Sequence, residues 1–185
     1  MLLLLGVQGQ FLPGIIFMRG GSVGLLVILE AEEQRGEEYA VVVKQPRLPL
    51  GRWDHTEIPA GMLDDSGNFC GKAAEELQEE TGISVNEDEL VDLNAAVGQP
   101  ASSGVFLSCG GSDESMRFFL SRQVWKRDAI DAIRGKLAGL REHGELITVE
   151  VLPYSALLAV PDGKTLCAAA LYERYKQQQQ QQQQQ

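Results

Sequence analysis

GMLDDSGNFCGKAAEELQEETGI, residues 61–83, joins a glycine-bearing loop to a short amphipathic helix. The spacing predicts a helix over Lys72–Thr81, with Ala73, Ala74 and Leu77 turned inward and Gly82 as the stop signal. Residues three and four apart are neighbours on a helix, so Glu76, Glu79 and Glu80 converge on one face. Hard divalent cations such as Mg²⁺ take oxygen ligands, and a phosphate substrate brings further negative charge for such a cation to neutralise. A solvated acidic helix face is the plain alternative, because acid-rich runs are common in acid-rich proteins.

The whole chain narrows the field. Its 185 residues are enough for one domain with a real core, and 44% hydrophobic residues with a mean hydropathy near zero fit a globular fold. A formal charge of −10 and a pI near 4.7 argue against a nucleic-acid backbone or an anionic membrane as the main partner. An acidic protein acting on phosphate esters must supply local positive charge, which points to bound metal and a few placed Arg or Lys side chains. Cys70, Cys109 and Cys167 are odd in number and have no CxxC spacing. They fit a reducing compartment, and neither a disulfide framework nor a zinc site. The opening MLLLLG is too short to span a bilayer, lacks a basic flank and reads as a strand or a truncated edge.

Strand signals dominate the first half. Val23–Leu29 and Tyr39–Val43 flank the acidic turn AEEQRGEE and predict a buried hairpin. The segment KQPRLPLGRWDHTEIPAG carries Pro46, Pro49, Gly51 and Pro59 and reads as loop with a short strand. Beyond the acidic helix, Leu90–Leu93, Gly104–Leu107 and Met116–Leu120 are strand candidates, the last alternating around Arg117. Lys126–Leu137 has helical spacing, GLREHGE is a loop, Leu146–Leu152 a strand, and a helix over about Lys164–Tyr175 closes the domain. Strands interleaved with a few helices predict a layered α/β fold. Gln177–Gln185 is low-complexity and expected to be disordered.

The 61–83 stretch resembles the Nudix hydrolase signature GX5EX7REUXEEXGU, in which U is a bulky aliphatic residue. Gly61 opens it, Glu76-Leu77 and Glu79-Glu80 match its acidic positions, and Gly82-Ile83 close it. Two positions depart: the loop glutamate falls on Gly67 and the arginine on Glu75, which replaces an attraction within the acidic face by a repulsion. EIPAGMLDD, GGSDESM and GLREHGEL are similar to the ADP-sugar pyrophosphatase branch, especially its plant-type members. The resemblance implies an α/β/α sandwich with a mixed β-sheet, spanning residues 12–176. It leaves residues 1–11 as a truncated N-terminal segment and 177–185 as a polyglutamine tail.

The same resemblance implies Mg²⁺-dependent hydrolysis, with Mn²⁺ as a substitute, of a nucleoside diphosphate sugar such as ADP-glucose or ADP-ribose to AMP and a sugar phosphate. Its metal ligands would be Glu76 and Glu80, the Ala60 backbone carbonyl and Glu79, the last shared with a second ion. The general base would come from the late loop, Glu145 first and Glu142 second. His143 could titrate near neutrality, but a lone loop histidine is more often a surface residue. Arg47 resembles a diphosphate-contacting arginine, a role that suits a guanidinium fork. Glu57 and Glu114 would contact sugar hydroxyls or the second metal. The family's dimer depends on an N-terminal β-segment of which little is present here. A cytoplasmic location is expected, or a plastid one if the N-terminus is incomplete. Two other readings stand beside this one: a non-catalytic nucleotide-binding module, in which Gly67 and Glu75 mark lost chemistry, and a carrier for the polyglutamine tail.

Overall fold

A run of apolar residues with no polar interruption suits a strand covered on both faces, and Ser22–Leu29 is buried throughout. The computed structural model of the protein describes residues 5–7, 10–12, 16–63, 68–100, 104–139 and 145–184. Its chain runs β1 (Leu5–Val7), β2 (Gln10–Leu12), β3 (Gly21–Ala31), β4 (Gln34–Arg47), β5 (Arg52–Glu57), β6 (Ala60–Met62), α1 (Phe69–Thr81), β7 (Val91–Asp92) and α2 (Leu93–Ala96). There follow β8 (Val105–Phe106), β9 (Ser115–Trp125), α3 (Arg127–Ala132), β10 (Leu137–Ala138), β11 (Ile147–Pro153) and α4 (Gly163–Gln183). The β1–β2 backbones pair with each other in a small separate sheet.

The other nine strands form one mixed sheet with the path β10-β11-β4-β3-β9-β7; β5 joins it on β4, β6 on β3 and β8 on β9. Strand β3 lies antiparallel to β4 and parallel to β9. Because side chains alternate across a strand, β3 feeds two cores. Val23, Leu25, Val27 and Leu29 meet Ala73 and Leu77 of α1 and Ile130 of α3 on one face. Leu26 and Ile28 meet Leu93 of α2 and Ala168, Ala169 and Tyr172 of α4 on the other. The result is the α/β/α sandwich.

The feature that makes room for a site is a fork between β3 and β4. The two strands pair from the hairpin turn down to Val27↔Val41. From Val43 onward β4 pairs with β5, while Ser22–Gly24 of β3 pair with β6. The Ile58-Pro59 turn fills the fork, its Pro59 carbonyl accepting from the Leu25 N–H at 2.9 Å. Helix α1 lies over this opening.

Several elements differ from the sequence expectations for local reasons. The KQPR segment, expected as loop, continues β4 to Arg47, because the ladder slips between Gln45 and Arg47 and leaves Pro46, which has no N–H to donate, in the irregularity. The helix expected over Lys126–Leu137 ends at Ala132. Gly135, at φ 72°, turns the chain so that Leu137–Ala138 can pair with β11. The strand expected at Leu90–Leu93 is only Val91–Asp92, since the Asp92 side chain accepts from the Ala95 N–H and starts α2. Ala74 is half-buried, unlike Ala73. Helix α4 runs on to Gln183, past the expected domain end at 176. Glutamine is a fair helix former, so a packed helix extends into such a run readily.

Candidate active site

Helix α1 begins earlier than expected, where the Asn68 side chain caps it by accepting from the Gly71 N–H at 3.1 Å. It ends at Gly82, in the left-handed region at φ 75°. Leu77 and Ala73 fix its rotation by packing on β3, and that rotation turns Glu76 and Glu80 toward the fork. Glu80 is 6% exposed; its Oε2 accepts from the Ala60 N–H at 3.0 Å, which ties α1 to the head of β6. Glu76 lies over the next residue of β6. A Cβ on Gly61 would stand 1.9 Å from the Glu76 carboxyl carbon and one of its oxygens, so only glycine lets the carboxylate approach the strand this closely.

Among the described residues Glu80 makes no salt bridge, and Glu76 makes one, to Lys72. Burial pushes the Glu80 carboxyl up to about 8; the charges of Glu76 and Glu57 add to this, and the Ala60 N–H and Arg47 oppose it. Burial also raises Glu76, with Lys72 opposing and Glu79 and Glu145 adding. Glu145 thus stands within electrostatic reach of Glu76, and the Gly139 N–H donates to the Glu79 carbonyl of α1 at 3.0 Å. A set of hard oxygen donors, partly desolvated and short of counter-charge, fits a divalent cation. Glu76, Glu79, Glu80 and the Ala60 backbone are the groups that could hold it.

A second buried carboxylate adjoins this face and is fully matched. Glu57, 1% exposed, receives both Nε (3.2 Å) and Nη2 of Arg47, the Gln45 amide at 2.7 Å, and the Lys164 ammonium. Lys164 also contacts Asp162 at 3.3 Å. Asp162 caps α4 through the Thr165 N–H, and the Thr165 hydroxyl accepts from the Ile58 N–H at 3.0 Å. His55 completes the group, its Nε2 3.7 Å from Glu57 and 3.6 Å from Asp162; its buried Nδ1 has no hydrogen-bond partner among the described residues. His55, Glu57 and Asp162 have metal-ligand spacing, but the Lys164 ammonium already supplies the cation there. Gln45 Nε2, 3.5 Å from Glu80, bridges the two groups.

Of the residues singled out in the sequence, Arg47, Glu57, Ala60, Glu76, Glu80 and Glu145 are brought around the fork, with Glu79 half-buried on the same helix. Glu114 immediately precedes β9 and pairs at 3.4 Å with Arg19, whose guanidinium also reaches the Met62 sulfur, beside Gly61, at 3.2 Å. Glu142, His143 and Gly67 lie outside the described residues. Glu75 is half-exposed and meets Lys72 at 2.9 Å, so the expected repulsion is offset by a lysine one turn back. Gln45 and His55 escaped the sequence reading although alternation along β4 and β5 places them on the faces of Arg47 and Glu57. Lys164 gave no local signal, because only the packing of α4 carries it to Glu57. The three cysteines are free thiols.

A mixed-sheet α/β/α sandwich with a carboxylate-bearing helix over a forked strand pair defines the class: a layered α/β domain whose acidic helix face could hold a divalent cation. Residues 18–174 match the family model described as NUDIX domain. The chain belongs to the Nudix hydrolases, a family of hydrolases that act on phosphoanhydrides and generally use divalent metal ions. It is 44% identical over 167 residues to "Nudix hydrolase 14, chloroplastic" of Arabidopsis thaliana, an overlap covering 89% of this chain and 53% of that protein. The chain therefore spans about half the length of the curated relative it matches. Among the described residues no helix is long and apolar enough to cross a membrane.

Proposed function

We propose that the protein hydrolyses the diphosphate bond of a nucleoside diphosphate sugar, ADP-glucose or ADP-ribose, to AMP and a sugar phosphate, with Mg²⁺ or Mn²⁺ as the cofactor. The observation that carries this reading is the under-neutralised face of Glu76, Glu79 and Glu80, pressed onto Gly61 and bordered by Arg47. The metal, when bound, shields phosphate charge and activates the attacking water. Glu76, Glu79, Glu80 and the Ala60 carbonyl would hold it. Arg47 is braced by Glu57 and, with its side chain 40% exposed, can donate to the diphosphate oxygens from guanidinium N–H groups that are unpaired among the described residues. Glu57 thus acts through Arg47, its own oxygens being taken. Glu145 takes the proton of the attacking water, with Glu142 as the alternative in the same loop. One P–O bond forms to the water oxygen and the bridging P–O bond breaks, so that one phosphate leaves with each product.

The test is AMP release from ADP-glucose and ADP-ribose with and without Mg²⁺. Metal-dependent turnover of either supports the proposal. Binding without turnover across a panel of nucleotide sugars replaces it by the nucleotide-binding module, the reading that Glu75 in place of arginine favours. The relative's printed name puts that protein in the chloroplast; for this chain we propose a plastid or the cytoplasm, where three free thiols would stay reduced. A homodimer is likewise a proposal, checked by sedimentation of the full chain.

A further inference from the structure

Lys72 is in an unexpected place. It stands in the first turn of α1, where the helix dipole disfavours a cation, and the turn contains no acidic residue. Its pairs with Glu75 and Glu76 run in the lysine-first order, the weaker of the two on an isolated helix. Helix stability therefore does not account for it. Its surroundings do: the side chain is only 16% exposed, and the ammonium lies 3.1 Å from the Glu76 oxygen and 2.9 Å from Glu75. The Glu76 carboxylate it touches is the one wedged against Gly61.

We propose that Lys72 is a resident counter-cation of the acidic face, which competes with a divalent ion for Glu76 and withdraws onto Glu75 when that ion binds. Glu76, Glu79 and Glu80 crowd together, and Lys72 is the cation paired with Glu76 among the described residues. It keeps the carboxylate seated on Gly61. An incoming dication needs the oxygen that Lys72 holds, and it repels the ammonium. Glu75, half-exposed on the next turn, is a ready second anchor that leaves Lys72 close without blocking the ligand. Glu75 then has a function here: it sets how easily Lys72 gives way. This inference rests on the assignment of Glu76 as a metal ligand.

The experiment measures Mn²⁺ binding to the full chain without substrate, from the loss of the free-ion EPR signal. Even at the dielectric of bulk water, removing one positive charge about 5 Å from a dication gives roughly a ten-fold effect, and a drier site gives more. Lys72→Met should bind Mn²⁺ at least about ten-fold more tightly, while Lys72→Arg, which keeps the charge, stays within about two-fold of the parent. Glu75→Gln should weaken binding about three-fold in the parent and have much less effect in the Lys72→Met background, the signature of a residue acting through its neighbour. Equal or weaker binding by Lys72→Met, or the same Glu75→Gln effect in both backgrounds, overturns the proposal. If Lys72→Met does not fold, Lys72→Gln removes the charge while keeping a hydrogen-bond donor. Should the parent and Glu76→Gln bind Mn²⁺ alike, the metal assignment itself has failed; if only the Lys72 arms fail, that assignment stands.

Discussion

Two buried carboxylate groups lie side by side in this protein and are treated in opposite ways. Glu57 is enclosed by Arg47, Gln45 and Lys164, so each of its oxygens is matched. Glu80, nearly as buried, has one backbone N–H, a distant amide and a crowd of other carboxylates. Burying a charge is tolerated only when it is paired or when something outside the protein pairs it. Glu57 is finished by the chain's own cations and serves to hold Arg47 and the start of α4. The α1 face is left incomplete, as suits a group that a ligand completes. The first group is built as a structural one, and the second is where the proposed chemistry would take place.

The largest expected effect sharpens this contrast. Glu80→Gln should lower hydrolysis by about 10³-fold, the size expected for losing several kcal/mol of metal-mediated stabilisation. The same change should raise the Tm of the metal-free protein near neutral pH, because an amide is buried uncharged without the proton uptake that this carboxyl needs on folding. Unchanged turnover, or a lower Tm, would show that Glu80 belongs with Glu57 as a structural group. The converse substitution, Glu57→Ala, should destabilise the fold by about 3 kcal/mol by leaving Lys164 and Arg47 without their shared partner. Chemical denaturation reads this directly, and a loss below about 0.5 kcal/mol would be the value of an ordinary surface change.

Gly61→Ala comes next. Its Cβ would collide with the Glu76 carboxylate, and a displacement of about 1 Å at a reacting site costs up to 100-fold in rate. We expect a loss of about ten- to 100-fold in kcat with the fold retained. Full activity would mean that Glu76 leaves the strand freely and has no fixed seat.

The smallest effect is a pH dependence. Glu80 titrates near the ordinary value of 4.5 in the unfolded chain and at about 8 in the folded one. Between these values the metal-free native state holds a proton that the unfolded chain has released. Stability is therefore greatest below the lower value and falls as pH rises through the upper one. A cation must displace that proton, so metal affinity should rise with pH, by at most tenfold per unit, and level off above about 8. Calorimetry in buffers of different ionisation enthalpy counts the protons released; a pH-independent affinity would place Glu80 outside the metal's coordination.

Much of the architecture could be read locally. The uninterrupted apolar run at Val23–Leu29 reads as a buried strand, and Ala73 and Leu77 at helical spacing read as the inward face of their helix. The acidic positions of α1 were equally legible, because a helix converts spacing into a shared face with no help from the rest of the fold. What escaped depends on contacts between distant segments. The slip at Pro46 that lets β4 continue, the early end of α3 at Ala132 and the helical start at Asp92 are each decided by a strand pairing or a cap.

The sequence by itself determined which carboxylates point together, since three- and four-residue spacing on a helix is a local property. It also placed Gly61 at the head of the acidic stretch and Arg47 upstream of it. Only the tertiary structure decided which carboxylate is satisfied and which is left wanting a cation. That depends on Lys164 arriving from the far end of the chain, on the fork that seats Glu76 against Gly61, and on burial, which makes the charge of Glu80 costly. Net charge and burial at a site are sums over segments distant in sequence, so spacing within one segment cannot supply them.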